Sequence, residues 1–142
     1  MQVVTLNEVE LVEASGLRFG FPISSATGTG DSAVVSFELD PGAALPVHTD
    51  SAEELLLVLE GVAEATIGDE TGTVRAGDVA VVPALAPHGL RNVGDVPVRV
   101  VGFFASSTVV SLFPEGAPTG DQVFVIGAPF PLAMPLPEGA VA

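Results

Sequence analysis

The chain has no cysteine, no lysine, no tryptophan and no tyrosine. Without cysteine there is no thiol nucleophile, no disulfide, no iron–sulfur cluster and no thiolate zinc site. Without lysine there is neither a side-chain Schiff base nor a P-loop lysine. The missing tyrosine and tryptophan remove a phenolic acid and an indole platform. Positive charge is scarce as well: four arginines face 18 acidic residues, for a formal charge of −14. Such a surface repels phosphate backbones, because nucleic-acid binding rests on clustered Lys and Arg. Anionic membranes are disfavoured for the same reason. The expected partner is therefore a small-molecule substrate, with no nucleic acid and no membrane. No apolar run approaches the roughly 18 residues of a membrane span. The stretch MQVVTLNEVELVEASG has neither a basic segment nor a long apolar one, so no secretory signal is expected and the cytoplasm is the default location. Reactive roles fall to His48, His88, the carboxylates, Ser, Thr and Arg.

What is present points to a β-rich core. The 142 residues suit one domain, and a chain of this size buries roughly 68% of its unfolded surface. A hydrophobic content of 48% argues against disorder. Twelve prolines and 16 glycines punctuate the chain, and no long segment has helical periodicity. Short runs rich in Val, Leu, Ile, Phe and Thr recur instead, at 33–39, 55–60, 62–67, 79–82, 98–104, 108–113 and 122–127. Turn residues bound them: Asp40-Pro41-Gly42, Gly61, Gly68 to Gly72, Ala76-Gly77-Asp78 and Gly94-Asp95. Many short strands at this spacing predict an all-β sandwich or barrel. SATGTGDS (25–32) reads as a flexible loop, and 128–142, with four prolines, as an extended, irregular segment. The expected organisation is a single domain over 1–142, with a barrel core at about 33–104. Residues 105–142 would add further strands and the Pro-rich end.

Both histidines sit among carboxylates. Residues two apart on an extended chain face the same side, so His48 and Asp50 are expected to project together from the end of the strand that follows Pro46. Glu54 opens the next apolar run, with Leu56 and Val58 on its face and Leu55, Leu57 and Leu59 on the other. Apolar residues on both faces predict a strand buried on both sides, where an ionised carboxylate costs several kcal/mol unless paired or bound to metal. Forty residues after His48, Pro83 and Pro87 bracket a turn that delivers His88 into a new strand. There, alternation places His88, Leu90 and Asn92 together and Arg91 outside. Two imidazoles and one or two carboxylates suit Fe, Mn, Ni, Co or Zn. The same residues also read as an ordinary polar turn, with Asp50 bonded to its own backbone and Glu53 and Glu54 solvated.

At these positions the chain resembles the cupin superfamily, whose signatures are G-x5-H-x-H-x3/4-E-x6-G and G-x5-P-x-G-x2-H-x3-N. The first falls on Gly42, His48, Asp50, Glu54 and Gly61; the second on Gly77, Pro83, Leu85, His88 and Asn92. All but two positions match. Leu85 replaces a turn glycine, for which the flanking prolines suggest a somewhat different turn. Asp50 replaces the second histidine of the family's three-His, one-Glu shell. The resemblance implies a double-stranded β-helix, a jelly-roll-like barrel, with His48, Asp50, Glu54 and His88 as metal ligands.

Two carboxylates in the shell favour Fe or Mn, with Ni, Co or Zn as alternatives. The set contains the two-His, one-carboxylate triad of non-haem iron oxygenases. His48, Asp50 and His88 also follow the H-x-D…H order of 2-oxoglutarate oxygenases, which usually carry insertions that a chain of this length lacks. The leading expectation is a metal-dependent cupin oxygenase acting on a small, largely apolar organic molecule, because the interior is predicted to be lined by Val, Leu and Phe with no lysine. Glu54 or Asp50 would act as catalytic base when not coordinated. The alternatives are a non-redox metal-dependent isomerase, lyase or hydrolase, and a non-catalytic small-molecule-binding cupin. Substrate polarity stays open, because Arg75, Arg91 or Arg99 could point inward. A homodimer through sheet edges is expected by resemblance, with 108–113, 122–127 and the Pro-rich end as candidates to cover an edge; the alternative is a tail that packs on its own barrel.

Overall fold

A computed structural model describes residues 1–117, 120 and 122–127. The Pro-rich end at 128–142 lies outside the described residues. The described residues fold as two six-stranded antiparallel sheets facing each other across an apolar core, a jelly-roll-like sandwich. The first sheet runs in the order β1 (Val12–Ala14), β2 (Leu17–Ile23), β3 (Ala33–Leu39), β10 (Val98–Phe104), β5 (Glu54–Glu60), β8 (Val79–Val82). The second runs β12 (Val123–Ile126), β11 (Val109–Leu112), β4 (Ala44–Asp50), β9 (His88–Asn92), β6 (Val62–Ile67), β7 (Glu70–Arg75). Among the described residues no helix is long and apolar enough to cross a membrane.

Alternation along each strand decides what enters the core. In β5, Glu54, Leu56 and Val58 are buried, while Leu55 and Leu59 on the opposite face are 39% and 37% exposed. The expectation that this strand is buried on both sides is therefore corrected. Its outer face lies on the surface, beside the exposed Val79 and Val81 of β8 and Phe103 of β10. An apolar residue is compatible with either face of a strand, so composition alone could not separate them. In β9 the burial follows the predicted order, with His88, Leu90 and Asn92 inside and Arg91 exposed.

Four predicted runs coincide with observed strands residue for residue: β3, β6, β8 and β10. Strands β1 and β2 were not assigned from sequence, and β7 fell partly within a predicted turn. The segment read as a loop at 25–32 begins with one 3-10 turn, Ser25–Thr27, whose start is closed by a reciprocal capping box between Ser24 and Thr27.

The turn between β8 and β9 carries a cost. Leu85 stands at φ 67°, in the left-handed region that glycine occupies without penalty. The backbone adopts a left-handed conformation with leucine in it. The Leu85 N–H donates to the Asp50 carbonyl at 2.8 Å, which ties the turn to the end of β4. The side chain itself is exposed and makes no compensating burial. A non-glycine residue in this region loses about 1–2 kcal/mol, of which the added unfolded-state freedom of glycine takes back up to about 1. Leu85→Gly is therefore expected to stabilise the protein by about 0.5–1 kcal/mol, read as a rise in thermal midpoint with unchanged metal content.

Candidate metal centre

The register of β4 against β9 assembles the centre. His48 and His88 are directly opposed across this antiparallel pair, with ring centroids 4.2 Å apart. A bulge between Leu45 and His48, next to Pro46, shifts the register so that the two rings meet. Two residues after His48, Asp50 shares its inward face and lies opposite Ser111 of β11. From the facing sheet, β5 brings Glu54. All four are nearly inaccessible: His48 5%, Asp50 2%, Glu54 3% and His88 1% exposed. Glu53 is exposed and takes no part.

Hydrogen bonds orient the rings. Nδ1 of His48 lies 2.8 Å from the Pro46 carbonyl, and Nδ1 of His88 lies 2.9 Å from the Ala86 carbonyl. An Nδ1–H that donates to a carbonyl leaves Nε2 facing the centre, as metal-binding histidines require. His88 Nε2 lies 3.1 Å from Asp50 Oδ2 and 3.4 Å from Glu54 Oε1; His48 Nε2 lies 3.4 Å from the same Asp50 oxygen. These are ion-pair distances, yet Asp50 Oδ2 and His88 Nε2 lack a well-aligned hydrogen-bond partner. Buried polar atoms are rarely left so. The two atoms approach each other without an aligned hydrogen bond between them.

His48, Asp50 and His88 each present one ligand atom within 4.8 Å of the others. Glu54 adjoins this trio through His88. The donor set of two imidazoles and a carboxylate, with unpaired atoms facing inward, fits a divalent metal ion. Gly102 of β10 shapes the Glu54 side: a Cβ there would collide with Glu54 Oε2 and approach Val35 Cγ1 to 2.7 Å. Glycine makes room for the carboxylate.

Electrostatics follow from burial and these contacts. Burial alone would raise the Asp50 carboxyl, but the adjacent His48 and His88 imidazoles, with the Ser111 hydroxyl, hold it well below the usual carboxylate range. For His88, burial works against the charge, while the adjacent Asp50 and Glu54 carboxyls outweigh it and push the imidazolium up to about 10. Burial raises Glu54 above its ordinary value, opposed chiefly by His88. Without metal, the cluster therefore holds an ionised Asp50 against a protonated His88, and a Glu54 inclined to keep its proton.

Two contributors escaped the sequence reading. Ser111 Oγ donates to Asp50 Oδ1 at 2.5 Å, both groups buried. Phe113 stacks on His48 with centroids 4.5 Å apart and planes 12° from parallel. A signal existed: in the run TVVSLF, alternation puts Ser111 between Val109 and Phe113, a polar residue at an inward position. Asn92, by contrast, is structural. Its amide donates to the carbonyls of Leu39 and Val96 at 2.9 and 2.8 Å, and its oxygen accepts from Gly94 N–H at 2.9 Å.

The serine bond fixes which Asp50 oxygen faces the centre. Groups behind metal ligands typically carry 10–100-fold in metal affinity, so Ser111→Ala is expected to weaken Mn(II) or Fe(II) binding by about that factor. Removing a hydrogen bond to a buried charge should also destabilise the metal-free protein by about 1.5–3 kcal/mol. Chelator competition and thermal melts read both effects; Ser111→Thr, which keeps the hydroxyl, should recover part of each. Unchanged affinity in Ser111→Ala would remove Asp50 from the ligand set.

None of the four arginines reaches this centre. Arg18 pairs with Glu38 at 3.2 Å and Asp40 at 2.9 Å. Arg99 pairs with Glu38 at 3.4 Å and Glu60 at 3.1 Å. Arg75 and Arg91 are exposed.

Comparison with known proteins places this geometry in context. Residues 35–104 match the family described as Cupin domain. An uncharacterized protein of Methanocaldococcus jannaschii is 33% identical over 51 residues, which cover 36% of this chain and 41% of that protein. Two oxalate decarboxylases share the fold. That of Lactobacillus farciminis, in a formate complex, has a TM-score of 0.71 at 22% identity, covering 78% of this chain and 35% of that one. That of Bacillus subtilis, described with Mn(II) centres, has a TM-score of 0.70 at 24% identity, covering 78% and 31%. The polyketide cyclase RemF of Streptomyces resistomycificus has a TM-score of 0.64 at 23% identity, covering 73% and 78%. At these identities the structural likeness is one of fold, and the chain spans about a third of the decarboxylases.

Proposed function

The chain belongs to the cupin superfamily, and we propose that it is a metal-dependent cupin enzyme, a non-haem oxygenase acting on a small organic substrate. The observation that carries this reading is the buried trio of His48, Asp50 and His88, whose ligand atoms lie within 4.8 Å of one another while Asp50 Oδ2 and His88 Nε2 lack a hydrogen-bond partner. These three residues would hold a divalent ion with fewer protein donors than a six-coordinate ion takes, which would leave room for O₂ and substrate. When bound, a divalent iron or manganese ion would supply Lewis acidity and, in the oxygenase reading, the electrons for O₂ chemistry. Mn(II) gains support from the manganese centres of the decarboxylase that shares the fold.

The protein's own residues have separable tasks. His48 and His88, held through Nδ1 by their own strands, present Nε2 as donors. Asp50 completes the trio and is held by Ser111. Glu54 stands beside His88 as a fourth donor or as the base; burial keeps its proton affinity raised, which suits Oε1 to take up and return a proton. Phe113 covers His48 and keeps water from one side of the ring.

Metal content and an open site are tested together. Protein purified without an affinity tag and loaded with Fe(II) under anaerobic conditions is expected to bind one ion and, on exposure to nitric oxide, to give the EPR signal of an iron nitrosyl. Stoichiometric metal without a nitrosyl signal would point instead to a non-redox Lewis-acid enzyme. Absence of metal binding would leave a small-molecule-binding barrel.

A further inference from the structure

We infer that the site takes an uncharged, apolar-bodied molecule with an oxygen donor at one end, and discriminates against small carboxylates. This deepens the metal-enzyme reading and rests on it only for the oxygen end. A cavity of about 70 Å³ opens between the sheets against His48, Asp50 and Glu54. Six of the chain's eight phenylalanines line it: Phe19, Phe21, Phe37, Phe104, Phe113 and Phe124. Three of these form a packed cluster, with centroid distances of 5.7 Å for Phe19–Phe21, 6.2 Å for Phe19–Phe124 and 5.2 Å for Phe21–Phe124. The polar lining is confined to one end, where His48, Asp50, Glu54 and Ser111 gather.

Charge gives the discrimination. No arginine lines the cavity, and the chain has no lysine. A carboxylate on the body of a ligand would lie among phenyl rings with no guanidinium or ammonium to receive it. At the polar end it would meet two more carboxylates, Asp50 and Glu54. Desolvating an unpaired anion in such surroundings is unfavourable, whereas an alkyl or aryl body gains by leaving water. Size adds a bound. The volume is about half of the roughly 150 Å³ that accommodates benzene in an apolar protein cavity, so the enclosed part admits a group of a few carbons, with any larger body extending through the mouth.

The experiment titrates metal-free and Mn(II)-loaded protein with 1-butanol, benzyl alcohol, 3-hydroxypropanoate and succinate. Ring resonances of the phenylalanines report occupancy of the cavity in the metal-free protein. Water relaxation by Mn(II) reports approach to the metal. Both alcohols are expected to perturb phenyl signals in the metal-free protein and to bind at least about tenfold more tightly than 3-hydroxypropanoate or succinate, a factor equivalent to about 1.4 kcal/mol. Loading with Mn(II) should tighten the alcohols further. Equal or tighter binding of either carboxylate in the metal-free protein, or failure of both alcohols to move any phenyl signal, overturns the inference. A protein that binds no Mn(II) but still selects the alcohols would sink the metal reading and leave this one standing.

Discussion

His88→Ala is expected to be the most damaging single substitution at the centre, emptying it of metal and destabilising the metal-free protein by about 3–5 kcal/mol. His88 is 1% exposed and lies within 3.4 Å of both buried carboxylates. Its loss leaves Asp50 without one of its two imidazole partners and Glu54 without its only ion-pair partner among the described residues. Breaking a buried pair by removing one partner is worse than replacing both, because the remaining charge stays desolvated. For a domain of this size the thermal midpoint should fall on the order of 10 °C. His48→Ala is the informative contrast. It also removes a ligand, but Asp50 keeps His88, so the metal-free protein should lose less stability while metal binding is lost equally. If metal-free His88→Ala melts with the wild type, the cluster does not hold a charged pair.

Metal affinity should climb steeply with pH, by about tenfold per unit from neutrality to about pH 10. An imidazole must be neutral to bind a metal, yet the His88 imidazolium is pushed up to about 10 by Asp50 and Glu54. Each ion bound near pH 7 should therefore displace about one proton, measurable by calorimetry in two buffers of different ionisation enthalpy. The stability of the metal-free protein follows the same groups. A raised His88 contributes fully below its unfolded value of 6.5 and loses that contribution as pH rises from there through about 10. Asp50, lowered, contributes above 3.8 and loses its share as pH falls below that. Glu54, raised, adds a penalty as pH climbs above 4.5, once its buried carboxyl must ionise. The metal-free protein should thus be most stable in mildly acidic solution and weaken toward alkaline pH, while saturating metal removes the alkaline decline. Proton release well below one per ion would mean that His88 is neutral before metal binds.

Much of the architecture was legible because local chemistry and tertiary placement agree. Runs such as AVVSFEL and VRVVGFF are strongly apolar, bounded by turn residues, and became β3 and β10 at the predicted limits. Strand β7 was not legible because it lies at the outer end of its sheet with mostly exposed residues, so it has no apolar alternation to find. Strand β2 was missed for another reason: Gly20 and Pro22 interrupt LRFGFPI and mimic a turn. In β5 the error ran the other way, since Leu55 and Leu59 look like core residues but lie on the surface. Leu85 shows that leucine can hold a left-handed backbone position where the family signature has glycine.

The sequence by itself determined the fold class, the family resemblance and the four side chains that gather at the centre. Those depend on residue type and short-range spacing, which the chain carries in one dimension. Only the tertiary structure decided how they meet. The β4–β9 register opposes the two histidines, β11 delivers Ser111 to Asp50, and Gly102 leaves space for Glu54. It also decided where the arginines stand and that six phenylalanines far apart in sequence share one cavity. Strand order and register are set by burial summed over the whole core, so no local stretch of sequence contains them.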